Sequence, residues 1–333
     1  MARPMLLYVP VASRLPIRPL AAAPLALLVG IAASGSPAHA APPWLQRLVD
    51  AVVDRVADLG QPDPRHASAL TPARRHALLN AAGSLHLRDQ RQWSPRRQPM
   101  GPRTAHSTNT YDELLHALRS GAQSAEGDVS VVRGVAVMRH DPRSPLGLTF
   151  RDWLQVMAEA KFAVVKVDVK RDKLGPILAD LEYAVRHFGL KPERLKLNAD
   201  LFDGPGGDGD RKLLERLYLN LTMRIEPEDF VPLRRAFPTA TISVGAVTSK
   251  TSTVYAPEHL ARFRQLANLF GGKVSFALRW DLVDRAVVTA LRGVGQLDVW
   301  NNPAYFKPVP ANAQAEAARL RTLGVDGVID FGE

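Results

Sequence analysis

The stretch SAEGDVSVV (124–132) places Glu126 and Asp128 two residues apart, and FAVVKVDVK (162–170) spaces Lys166, Asp168 and Lys170 in the same way. In an extended strand, residues two apart share a face, so each charged set projects to one side, and the residues between, Gly127 in the first stretch and Val167 and Val169 in the second, take the other. Charges on a covered face need partners. The carboxylates of Glu126, Asp128 and Asp168 are hard oxygen donors that suit one divalent cation, Mg²⁺ or Ca²⁺, rather than zinc. His106 and His140 each follow a β-rich run, and two imidazoles flanking such an ion would serve as general base and general acid. The same residues also allow a non-catalytic site, in which the acids hold a structural ion or pair with Lys166 and Lys170.

These residues need elements to bring them together. From Thr104 onward short β-branched runs alternate with amphipathic helical stretches. Strands are expected at 104–106, 123–129, 162–169, 195–198, 241–244, 274–279, 297–300 and 327–330. Helices are expected at 111–120, 149–160, 174–188, 257–270, 282–292 and 312–323. Thr110 followed three residues later by Glu113 is a capping box that opens the first of these helices. The alternation points to an α/β protein, a (β/α)8 TIM barrel spanning 104–333. A doubly wound open sheet is the second architecture considered, and 211–240 fits neither element type clearly. A barrel strand is covered on both faces, so the charged faces must look into the lumen or its mouth. Active sites of such barrels form at the C-terminal strand ends. Asn198 and Asp200 in LNAD, Arg279 and Trp300 stand at later strand ends and are candidate substrate contacts, with a structural role as the alternative for each. GPGGDGD (204–210) matches neither a P-loop nor an EF-hand and reads as a loop.

Ahead of the barrel, two segments are expected. Residues 1–40 read as an export signal: Arg3, Arg14 and Arg18 open it, an apolar run from Leu20 to Ala33 follows, and Ala38-His39-Ala40 supplies the cleavage pattern. The apolar run falls short of the roughly 20 residues of a membrane span, so an exported, periplasmic or secreted bacterial protein is expected. Residues 41–103 read as a helical extension, with candidate helices at 44–59 and 71–83, and a basic, proline-containing linker at 88–103. The chain carries a net charge of +10, which becomes +7 once the three arginines of the signal are removed. The arginines are scattered without an aromatic ladder, so nucleic acid is not the expected partner. An anionic substrate suits the charge. There is no Cys, no G-x-S-x-G and no H-E-x-x-H, which removes cysteine nucleophiles, disulfides and the serine-hydrolase and zincin patterns.

The ordered set H…E-x-D…HD…D-x-K resembles the phospholipase-C-like phosphodiesterase barrels, which include glycerophosphodiester phosphodiesterases and the spider-venom-type phospholipases D. AHSTNTYDELLHAL (105–118) is similar to their opening segment, though shortened, and LDVWNN (297–302) and LGVDGVIDF (323–331) to their closing ones. The middle of the chain resembles the menorin branch of that superfamily more closely, through EGDVSV, MRHDP, LTFRDWL, VVKVDVK, LKLNADLFDGPG, FPTATISVGAV and VSFALRW. Menorin-type chains often carry His-Pro where this chain has His140-Asp141, a departure toward the enzyme-like side. The resemblance covers 104–333 and nothing in 41–103. It implies a TIM barrel that cleaves a glycerophosphodiester or phospholipid head group. Glu126, Asp128 and Asp168 would bind the metal, His106 and His140 would transfer protons, and Lys170 would stabilise phosphate charge. A non-catalytic menorin-like binding barrel is the alternative that the resemblance allows.

Overall fold

The structure, a computed structural model, describes residues 63–67, 69–89, 104–140, 144–170, 174–207, 225–249, 251–301 and 308–331. The expected signal, the candidate helix 44–59, most of the linker, Asp141 and the end of the GPGGDGD loop lie outside these residues.

After an outer helix α1 (Pro72–Asp89), the barrel runs β1 (Thr104–Ala105), α2 (Tyr111–Arg119), β2 (Ser124–Val132), β3 (Val135–Met138), α3 (Phe150–Glu159), β4 (Val164–Val169) and α4 (Leu174–Tyr183). It continues through β5 (Leu195–Asp203), α5 (Pro227–Ala236), β6 (Thr241–Val247), α6 (Pro257–Phe270), β7 (Val274–Arg279), α7 (Arg285–Leu291), β8 (Gln296–Trp300), α8 (Ala313–Leu323) and β9 (Ile329–Asp330). The sheet order is β1-β2-β4-β5-β6-β7-β8-β9, all parallel, with β3 folded back on β2 as an antiparallel hairpin. Strand order follows chain order throughout, so there is no reversal point of the kind a doubly wound sheet requires. The eight parallel strands form a nearly closed barrel, a (β/α)8 TIM fold. Of the stretch read ambiguously at 211–240, residues 211–224 lie outside the described residues, and 225–240 contribute α5 and the approach to β6.

Period-2 patterning sets the interior. In β4, Val165, Val167 and Val169 are buried toward the helices, while Lys166 and Asp168 alternate with them toward the lumen. Parallel register then lines up like levels: Glu126 with Lys166, Asp128 with Asp168, Lys166 with Lys196, Asp168 with Asn198. Gly127, between the two acids, faces outward against Met138 and Trp153, where a Cβ would overlap the indole. The E-G-D spacing is thus fixed by packing on one face and by charge on the other.

The helix within the expected extension is not detached from the barrel. Leu78 of α1 is fully buried and Ala82 nearly so, in the same core as Leu114 and Leu118 of α2. Arg75 Nε donates to Glu159 of α3 at 2.8 Å, and the Arg74 guanidinium lies 5.0 Å from the Tyr111 ring centroid. A boundary at 103 therefore cuts through packed structure, and α1 belongs with the barrel. Among the described residues no helix is long and apolar enough to cross a membrane.

Candidate active site

Local structure at the first strand ends fixes the first group of side chains. The capping box at Thr110 and Glu113 forms: Glu113 N donates to Thr110 Oγ1 at 3.3 Å, and Thr110 N donates to Glu113 Oε2 at 2.8 Å. The loop before it turns at Ser107, a non-glycine residue at φ +50°. Trp153 Nε1 donates to Thr108 Oγ1 at 3.1 Å, and that hydroxyl donates to the Glu126 carbonyl at 2.8 Å. Asn109 exchanges two bonds with Asp128, donating from Nδ2 to Oδ2 at 2.9 Å and accepting the Asp128 backbone N–H at 2.8 Å. His106 is thereby held beside Glu126 of β2. The β2–β3 hairpin, turned by Arg133 and Gly134 at positive φ, returns so that Arg139 N donates to Asp128 O at 2.7 Å. That contact brings His140 to the same rim.

The carboxylates expected to share one cation are each paired instead with built-in donors. Glu126 Oε1 meets Lys166 Nζ at 2.8 Å and Oε2 meets His106 Nδ1. Asp128 Oδ1 meets Lys170 Nζ at 3.1 Å, with Asn109 on Oδ2. Asp168 Oδ2 meets the same Lys170 Nζ at 2.7 Å, and Asn198 Nδ2 donates to Oδ1 at 2.9 Å. All six oxygens face a donor. Deeper in the lumen Lys196 Nζ and Asp298 Oδ2 pair at 2.6 Å. Among the described residues no three His, Cys, Asp or Glu side chains converge to hold a metal ion. A divalent cation needs oxygen lone pairs at roughly 2.0–2.6 Å, and here ammonium, imidazole and amide groups stand against those oxygens. In this arrangement the donor set does not fit a divalent cation.

His106 differs from its expected role for the same reason. Its Nδ1 faces Glu126 and its Nε2 faces Asp330 at 2.5 Å. Burial alone would lower the imidazole pKa, but the two carboxylates outweigh it and hold the ring well above its ordinary value. His106 is therefore biased toward its charged form, with a carboxylate against each ring nitrogen, which makes it a poor base. It also ties β1 to β9, two strands with no ladder between them in the sheet order. Burial would raise the pKa of Glu126, yet Lys166 and His106 keep it well below the carboxylate range. For Lys166 burial works downward, and Glu126 and Asp168 more than reverse it. Lys170 is raised in the same way by Asp168 and Asp128.

Asp200 is the exception. It stands on β5 two residues beyond Asn198, with its carboxylate against Gly245 of β6, where a Cβ would collide with it. The residue is exposed, but protein atoms crowd around its carboxylate. That enclosure, followed by repulsion from Asp168, pushes its pKa up to about 6, against the pull of Lys170, Lys166 and His140. Asp200 and His140 are thus titratable groups within electrostatic reach of each other and of Lys170.

The remaining sequence-derived contacts divide. Trp300 lines a cavity of about 440 Å³, counted with its open mouth, together with His106, Lys166, Lys196, Ser243 and Asp298. Asn198 sits beside Asp168 as expected. Arg279 does not contact the mouth as a substrate residue: it is 0% exposed, with its guanidinium spent on scaffolding. Nε donates to Asp281 Oδ1 at 2.7 Å, Nη2 to the Ser252 carbonyl at 2.5 Å, and Nη1 to the Ser249 carbonyl. Sequence reasoning did not assign Asn109, Asp330 or the Lys196–Asp298 pair. An alternating reading of LKLNAD would have placed Lys196 on the face of Asn198 and Asp200. Nothing local marks Asp330 as the partner of His106.

Comparison with solved structures gives a distant likeness to a glycerophosphodiester phosphodiesterase from Parabacteroides distasonis ATCC 8503, with a TM-score of 0.36 and 12% identity, covering 69% of this chain and 92% of that one. At the level of sequence, the family model of the menorin N-terminal domain matches residues 103–294, from the start of β1 to the end of α7. That match spans more than half of the chain and every strand from β1 to β7, and the chain belongs to the menorin family.

Proposed function

We propose that the barrel mouth binds a phosphoric diester and hydrolyses it by proton transfer at His140 and Asp200, with Lys170 facing the phosphoryl oxygens. The observation that supports this reading most is the electrostatic coupling of Asp200 on β5 to Lys170, just past β4, and to His140, just past β3. His140 takes a proton from water as the water oxygen bonds to phosphorus. The P–O bond to the leaving alcohol breaks, and protonated Asp200 gives its proton to that oxygen. An acid with a pKa near 6 retains a protonated fraction close to neutrality, as this role requires. Lys170 uses two of its three N–H groups on Asp128 and Asp168, which leaves one for the substrate. No step passes through a metal ion.

The leaving group provides the test. A nitrophenolate departs without protonation, whereas an alkoxide needs an acid. Asp200→Asn is expected to slow a dialkyl phosphodiester at least about a hundredfold and a nitrophenyl diester much less, within the usual range of acid–base catalysis. His140→Ala is expected to slow both. A second reading, a phosphodiester-binding barrel without turnover, is favoured by the locked state of His106 and the pairing of the three acids. Wild-type protein that binds a phosphodiester but cleaves neither substrate would select it.

A further inference from the structure

We infer that lysines built into this barrel supply the counter-charge of its carboxylates, and that Lys170 holds the cation position between Asp128 and Asp168. The inference does not depend on whether the mouth cleaves or only binds its ligand.

Register creates the need. Asp128 and Asp168 are direct neighbours on adjacent parallel strands. Like charges at that spacing repel and require a cation between them. The chain supplies it two residues further along β4. Lys170 N donates to Val129 O at 3.0 Å, which continues the ladder one residue past the strand and turns the side chain toward both acids. Its Nζ then stands 3.1 Å from Asp128 and 2.7 Å from Asp168. One level lower, Lys166 is the register neighbour of Glu126 and neutralises it directly. On that same level, the Lys166 neighbour on β5, Lys196, neutralises Asp298 of β8.

A divalent ion entering between Asp128 and Asp168 would meet an ammonium already in contact with both. Repulsion between two cations at that range in a partly desolvated lumen is large compared with the attraction of either to acids that are already neutralised. Lys170 cannot withdraw easily, because its side chain is 80% covered by protein. Asp200 makes no ion pair among the described residues and acts on Lys170 through its charge alone, behind Asp168 and Asp128. The charge balance of the site is therefore written into the D-x-K and K-x-D spacing of β4 itself.

The test uses the full-length chain and free metal ions. Thermal melts of wild type are run in chelator and in millimolar Mg²⁺, Ca²⁺ and Mn²⁺, and the same series is run on Lys170→Met. Wild type is expected to melt at the same temperature in all conditions. Lys170→Met is expected to lose stability in chelator and to regain roughly 5 °C at a hundredfold excess of cation over its dissociation constant. The gain should vanish in the double variant Lys170→Met/Asp128→Asn. If Lys170→Met does not fold in chelator, Lys170→Gln, which keeps a donor near one acid, is carried through the same series. A wild-type melting temperature that rises with cation and loses that rise in Asp128→Asn would overturn the inference. So would a folded lysine variant that gains no cation response.

Discussion

On β2, β4 and β5 the lumen-facing positions carry Glu126, Asp128, Lys166, Asp168, Lys196 and Asn198, while on β6 and β7 they carry Ser243, Gly245, Ser275 and Ala277. TIM-barrel interiors are usually filled by branched apolar side chains, and neither wall here follows that pattern. One wall is long, charged and internally neutralised. The other is short, and its hydroxyls at Ser243 and Ser275 are buried without a partner among the described residues. The difference assigns the work. Charge is concentrated where parallel register can set an acid beside a base, and space is left where the side chains are small. The cavity that Trp300 lines is bounded by Ser243 and Ala277 of the short wall and by Lys166 and Lys196 of the charged one. The one large charged residue of β7, Arg279, turns away into the loop at 249–252.

The sharpest way to break this contrast is to remove the scaffold of the small-residue wall. Arg279→Ala strands Asp281 and two carbonyls in a buried setting, and it is expected to destabilise the fold by about 3–5 kcal/mol, measured by urea unfolding. Arg279→Lys should not rescue it, because an ammonium cannot span Asp281, Ser249 and Ser252 at once. A loss below about 1 kcal/mol, with altered substrate binding, would return Arg279 to the contact role read from sequence.

Next in size is the support behind the charged wall. Leu78→Ala on α1 is expected to cost about 2–4 kcal/mol. A chain beginning near residue 61 should unfold cooperatively, whereas one beginning at 104 should not. Equal melting temperatures for the two truncations would show that α1 is dispensable.

The pH dependence of stability separates groups within the charged wall. His106 has a raised pKa, so its stabilisation is complete below the unfolded imidazole value of about 6.5 and fades as pH rises through the higher folded value. Glu126 has a lowered pKa, so its stabilisation is present above the ordinary carboxylate value and fades as pH falls through the folded one. Asp200 acts with the opposite sign: its raised pKa makes stability decline as pH climbs from the ordinary carboxylate value toward about 6. Melts across this range should show an alkaline loss that disappears in His106→Gln and a mild fall in stability, as pH rises from the ordinary carboxylate value to about 6, that disappears in Asp200→Asn. An unchanged alkaline limb in His106→Gln would mean that the seam between β1 and β9 is held by other contacts. The smallest effect belongs to the opposite wall, where Ser243→Ala is expected to change stability by less than about 1 kcal/mol, because it removes a hydroxyl that has no partner to lose.

Much of this arrangement was legible in the chain. The alternation in VVKVDVK gave the two faces of β4, the Thr110–Glu113 box gave the start of α2, and E-x-D together with H106 and H140 marked the rim. Pairing was not legible. The D-x-K spacing left both a metal ion and Lys170 open as partners of Asp168, and which acid of β2 joins them depends on the register of β2 against β4, which no local pattern encodes. His106 finds Asp330 only when the last strand closes beside the first, and a two-residue strand such as β9 carries almost no periodic signal. Arg279 looked like a contact because it ends a strand. Its true partners, Asp281 and the carbonyls of Ser249 and Ser252, become visible only when the loop after β6 folds over it. The Leu78 face of α1 was weakly written, since arginines and histidine surround it.

The account is tested most directly by the rate at which chelator-treated wild-type protein hydrolyses a nitrophenyl phosphodiester, compared with the rate after Mg²⁺ or Ca²⁺ is restored. Lysine-neutralised acids with His140 at the rim predict turnover in chelator within about twofold of the rate with added cation, and a loss of about a hundredfold or more in Lys170→Met. Turnover that appears only when the cation is restored, or no turnover under either condition, would contradict it.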